Sequence, residues 1–163
     1  MSHAPNFELI TELQTLTRRD FPLDDPTILK PHGASALVDG EWLELTSSYT
    51  LKRGTDYGIL AVYPVHAERG RYDTQALGKS NVLFLGQFEA ETAVVDPTSY
   101  SSLQIGSKLM VGTIASGTFT GKRGLFLSDG KATAVEVGYV TRLPSNGRVR
   151  FVRTSPICLA ALT

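Results

Sequence analysis

From Ala34 to Thr163 the sequence is a succession of short β-branched, aromatic and leucine-rich runs, broken by Gly, Pro, Asn, Asp and Ser about every ten residues. Residues Ser35 to Leu45 hold Leu37 and Val38, an Asp39-Gly40 pair, then Trp42, Leu43 and Leu45, which predicts a tight hairpin. Further strands are expected over Tyr57 to Val65, Asn81 to Phe84, Phe88 to Val95, Lys108 to Ile114, Gly124 to Leu127, Thr133 to Thr141, Arg148 to Val152 and Ile157 to Leu162. Asp129-Gly130, between Phe126 and Ala132, predicts a second hairpin turn. The longest break, Ala67 to Ser80, is polar and reads as a surface loop. No segment after Ala34 has a helical period of useful length, so an α/β fold is disfavoured. The expectation is a mainly β domain, a small β-barrel or sandwich.

The first 33 residues read differently. Asn6 can cap a short helix in which Phe7, Ile10, Leu13 and Leu16 recur at helical spacing. Pro22, Pro26 and Pro31 then stiffen an extended stretch that also holds Asp20, Asp24 and Asp25. The expected organisation is therefore an N-terminal arm with one short helix over 1–33 and a β-barrel domain over 34–163. A lone amphipathic helix cannot bury its stripe by itself, so the arm must pack on its own barrel or on another subunit.

At 163 residues the chain has the length of one domain, and with 42% apolar against 20% charged residues disorder over most of it is not expected. Sixteen basic and sixteen acidic residues cancel, which argues against a nucleic-acid or anionic-membrane partner. The cancellation is uneven. Residues 1–45 carry eight acids and three bases, whereas residues 97–163 carry two acids and eight bases. The two ends could neutralise each other within a subunit or meet head to tail between neighbours. Cys158 is the only cysteine, which excludes an internal disulfide and points to a reducing compartment, with the thiol buried in an apolar run. No run reaches the roughly 18 apolar residues of a membrane span, and the start MSHAPNFELI lacks the layout of a secretion signal, so a soluble, uncleaved chain is expected.

Catalytic and metal chemistry find little footing. Gly117 to Arg123 reads GTFTGKR, but its glycine spacing is one residue short of a phosphate loop and Arg123 stands where Ser or Thr should hold magnesium; a strand-linking loop is the better reading. His3, His32 and His66 fall in three separate loop-like contexts. Glu89 and Glu91 share one strand face, where alternation with Phe88, Ala90 and Thr92 explains them without catalysis. Ser128 belongs to a turn and has no flanking G-x-S-x-G. In a rival enzyme or glycan-binding reading, Arg71, Asp73 and Lys79 of the long loop would be the first candidates. Trp42, Tyr63 and Phe151 suit core or inter-subunit packing better than ligand stacking.

Between Gly33 and Thr154 the order of features resembles a known class. Gly70-Arg71-Tyr72-Asp73, Gln75 to Lys79, Leu83 to Gly86, the Phe88 to Thr92 strand, Tyr100 with Ile105 to Leu109, Val137 to Val140 and the Arg148 to Phe151 strand carry that likeness. In this order they look like the small β-barrel capsid decoration, or cement, proteins of tailed bacteriophages.

The resemblance implies a non-enzymatic, head-stabilising virion structural protein on the capsid exterior, made in the host cytoplasm and needing no cofactor or metal. Its partner would be the major capsid protein lattice, met as a homo-oligomer with a trimer favoured, and without direct nucleic-acid or membrane contact. Phe7, Ile10, Leu13 and Leu16 would anchor the arm by apolar burial, and Asp20, Asp24 and Asp25 would meet basic groups on a neighbour. Alternatives are a tail, baseplate or head-tail junction protein, or a small-ligand or glycan-binding β-barrel.

Overall fold

A computed structural model of the chain describes residues 6–11, 17–24, 37–46, 48–53, 62–64, 79–85, 87–131 and 135–158. The described chain is mainly β. Its strands are β1 (Phe7–Leu9), β2 (Thr17–Pro22), β3 (Trp42–Leu45), β4 (Leu51–Lys52), β5 (Val62–Pro64), β6 (Lys79–Leu85), β7 (Phe88–Thr92), β8 (Lys108–Thr113), β9 (Arg123–Leu127), β10 (Val135–Ser145) and β11 (Arg148–Cys158). One helical turn, α1 (Pro97–Tyr100), separates β7 from β8, and Asp96 caps it by accepting the Ser99 N–H at 2.9 Å. The strands form a six-stranded antiparallel sheet in the order β1-β7-β11-β10-β8-β9, a three-stranded sheet β4-β3-β5 and a β2-β6 pair.

The large sheet curls. Just past β7, Val95 bridges Leu125 of β9 in parallel, with the Leu125 N–H donating to the Val94 carbonyl at 3.0 Å. Across a flat sheet β7 and β9 would lie about 19 Å apart, whereas the three residues from Thr92 to Val95 reach about 10 Å. The sheet must bend for this bridge to form. It does not close into a barrel, contrary to one form of the sequence expectation: β1 occupies the edge beyond β7, and the described link to β9 is this bridge.

Strand alternation builds the core, with the register shift between Glu136 and Gly138 bringing Val137 to the same side as Val140. Phe88 and Ala90 of β7, Val149 and Phe151 of β11, Val137 and Val140 of β10 and Leu109 and Val111 of β8 all point inward and are buried. Phe151 sets its ring between Trp42 and Phe88, tilted to the first and edge-on to the second, with centroids 6.1 and 6.2 Å away. Each such pair is worth about 0.5–1.5 kcal/mol beyond the area it buries. A second cluster joins Phe21, Leu23, Leu43, Leu51 and Val82. β3 sends Trp42 to the first cluster and Leu43 to the second, and β6 divides Leu83 and Val82 in the same way. Burial on both faces is why these two strands have consecutive apolar residues.

Several expectations are corrected. The helix over Phe7 to Leu16 does not form at its start: Phe7–Leu9 is a strand, in register with Ala90 to Thr92. Phe7, Glu8 and Leu9 also alternate with period two, and the edge of β7 supplies backbone partners that a solitary helix of a few turns lacks. Leu13 and Leu16 lie outside the described residues. Asp39-Gly40 does make a turn, closed by the Glu41 N–H to the Val38 carbonyl at 3.1 Å, but only Gly40 has positive φ. A type I′ hairpin needs both central residues there. β3 pairs instead with β4 and β5. Nor does Asp129-Gly130 join a hairpin, since β8 lies between β9 and β10 and pairs with both. Lys79 and Ser80, expected in the long loop, begin β6; residues 67–78 lie outside the described residues.

Candidate functional site

The tip of the β10-β11 hairpin is a two-residue turn in which Asn146 (φ 52°) and Gly147 (φ 71°) both adopt the left-handed region, the type I′ geometry that Asn-Gly favours. Ser145 pairs with Arg148 across it, and the Gly147 N–H donates to the Tyr100 hydroxyl at 3.0 Å. Behind this tip, Arg148 and Arg150 alternate with the buried Val149 and Phe151, so both face outward on β11.

Arg142 reaches the same outer face through a β-bulge. Val140 pairs with Phe151 and Arg142 with Arg150, leaving Thr141 as the extra residue. Strict alternation would have put Arg142 on the buried side with Val140; the bulge re-aims it outward. The Thr141 hydroxyl donates to Glu89 Oε1 at 2.9 Å. Cross-strand register then aligns Glu8, Glu91, Arg150 and Arg142 in one row over β1, β7, β11 and β10.

Glu91 organises the row. Arg148 Nε donates to Oε1 at 2.9 Å, Arg150 Nε to Oε2 at 3.2 Å, and Arg148 Nη2 to the Glu91 carbonyl at 3.2 Å. Burial pushes the Glu91 carboxyl up, but the hydrogen bonds and charges of Arg148 and Arg150 outweigh it and hold the group below its ordinary value. Glu91, Arg142, Leu143, Ser145, Asn146, Arg148 and Arg150 line a small cavity of about 70 Å³. Arg142 is exposed, and its guanidinium has no hydrogen bond or ion pair to any described residue. Ile105, Tyr139 and Leu143, all exposed, lie along the same stretch; Ile105 is placed there by the Gly106 N–H donating to the Val140 carbonyl at 2.8 Å.

A second charged group lies inside the molecule. Glu41, fully buried, accepts from Arg53 Nε at 2.5 Å and Nη2 at 3.1 Å, from the Val38 N–H at 3.2 Å and from the Arg123 N–H at 3.4 Å. Lys122 is buried close by; burial, and then the charge of Arg53, lowers its pKa against the opposing pull of Glu41. A more open cleft of about 370 Å³ lies between α1 and the β8-β9 loop, lined by Val95, Pro97, Tyr100, Ser116, Thr118 and Phe119 among others.

The residues singled out in the sequence scatter. Phe7 is buried in its own chain's core, edge-on to Phe88 at 6.3 Å, while Ile10 is exposed at the end of β1. Asp20 lies on β2 opposite Asn81, and Asp24 is exposed just beyond it. Leu13, Leu16, Asp25, the three histidines, Arg71 and Asp73 lie outside the described residues, and Lys79 pairs with Pro22. Cys158 ends β11 opposite Val135. Glu89 and Glu91 do share a face, as expected, but they are engaged by Thr141, Arg148 and Arg150. Sequence reasoning missed the arginine cluster as a unit; its legible signal was Asn146-Gly147 followed by arginines at alternating positions. Among the described residues, no three His, Cys, Asp or Glu side chains are grouped so that they could hold a metal ion. No helix among them is long and apolar enough to cross a membrane. Compared with known proteins, the chain matches no family model, no curated protein and no solved structure.

Proposed function

We propose that the chain is a non-enzymatic virion structural protein, a β-sandwich that docks as a homo-oligomer, a trimer favoured, on the assembled lattice of a phage major capsid protein and stabilises it. The observation that carries this reading is the outer surface around β10, where Ile105, Tyr139 and Leu143 stand exposed near Arg142, whose guanidinium has no described partner. Apolar anchors rimmed by charge suit protein docking. A ligand that binds only the assembled shell stabilises it by its own binding free energy. Cryo-microscopy of particles that contain this chain tests the reading. Repeated density on the capsid exterior is expected; density confined to the tail, baseplate or head-tail junction, or absence from purified particles, would overturn it.

A second reading, a small-ligand or glycan-binding module, draws on the open cleft beside α1, where Tyr100, Phe119 and Pro97 offer apolar surface and Ser116 and Thr118 offer hydroxyls. Saturation-transfer NMR with a panel of monosaccharides would support it by transfer lost in Phe119→Ala.

A further inference from the structure

We propose that the arginine-lined cavity at the β10-β11 tip is a carboxylate subsite, which takes an aspartate or glutamate side chain of the protein that the chain docks on. The inference deepens the docking reading and rests on it. Three guanidinium groups and one carboxylate line the cavity, so it carries an excess of positive charge. Glu91 holds Arg148 and Arg150 in place through their Nε atoms, as a built support does. Arg142 brings a planar fork of N–H donors with no described partner, the geometry that receives a carboxylate through two parallel hydrogen bonds. A volume of about 70 Å³ has room for a carboxyl group or a few waters.

The surroundings select the source of the carboxylate. Glu8 and Glu89 stand on β1 and β7, within about 10 Å of β11 by strand spacing, and Glu91 lies between. An extended polyanion such as a nucleic acid would run onto these carboxylates, whereas a single acidic side chain would not. Leu143 lines the subsite, and with the exposed Tyr139 on the same strand and Ile105 beside it offers apolar surface that fits a protein.

The test is NMR titration of the full ¹⁵N-labelled chain, following arginine Nε–Hε and backbone amide signals. The probes are an acetylated, amidated Gly-Asp-Gly-Asp-Gly peptide, inorganic phosphate and a single-stranded oligonucleotide, each at low and high chloride. The peptide is expected to shift Asn146, Gly147 and Arg142, to bind more weakly in high salt, and to bind about tenfold more weakly to Arg142→Gln. Arg142→Lys, which keeps the charge and loses the fork, is expected to fall between. Peptide affinity unchanged in Arg142→Gln, or tighter binding of phosphate or oligonucleotide than of peptide, would overturn the proposal. Peptide binding without docking on particles would leave the subsite standing and remove the docking reading; docking without peptide binding would do the reverse.

Discussion

Two carboxylates in this molecule are each held by arginine, and they sit in opposite surroundings. Glu41 is sealed inside, with no exposed side-chain surface, and takes hydrogen bonds from Arg53 and from two backbone amides. Glu91 stands on the outer face, one fifth exposed, between Arg148 and Arg150. Inside, a charge stripped of its partner has no water to turn to, so the pair is bound up with folding. Outside, partial access to water and salt lowers the cost of a lost partner, so the cluster adds less stability than the buried pair. The same chemistry therefore weighs more on the fold in one place than in the other.

The most severe way to break this contrast is to remove the platform of the outer cluster. A Cβ at Gly138 would sit 2.0 Å from the Val152 carbonyl oxygen, so Gly138→Ala must force β10 away from β11. Its expected cost is more than about 3 kcal/mol in denaturant unfolding. Glu41→Gln, which leaves Arg53 facing a neutral amide inside, is expected to cost about 3 kcal/mol in the same measurement. Glu91→Gln should cost about 1 kcal/mol, since Arg148 and Arg150 retain some solvent. Acid sharpens the same point. Because the folded pKa of Glu91 lies below its ordinary 4.5, the unfolded state takes up the proton first as pH falls. The Glu91 contribution is whole above about pH 4.5 and disappears as pH drops through the lower folded value, so the stability gap between wild type and Glu91→Gln should close in acid. The smallest effect belongs to Arg142→Gln, within about 0.5 kcal/mol of wild type.

Most of the strands were legible because burial of one face imposes period two, as Phe88, Ala90 and Thr92 against Glu89 and Glu91 display. What escaped depends on tertiary context. Phe7 to Leu9 satisfies both a helical and a strand period, and the free edge of β7 decides between them. Curling of the sheet is set by a bridge between residues thirty positions apart, Val95 and Leu125, which no local pattern announces. Arg142 could not be read as part of a site, because alternation from Val140 points it inward and only the extra residue Thr141 reverses that. Arg148 and Arg150 were more accessible, since Asn146-Gly147 and the alternation with Val149 and Phe151 fix both turn and face.

The division of labour between the two clusters is tested most directly by unfolding Glu41→Gln and Arg142→Gln side by side in denaturant. A loss of about 3 kcal/mol for the first and less than about 0.5 kcal/mol for the second is the predicted result. Equal losses in the two variants would contradict it, because Arg142 would then be part of what holds the fold together.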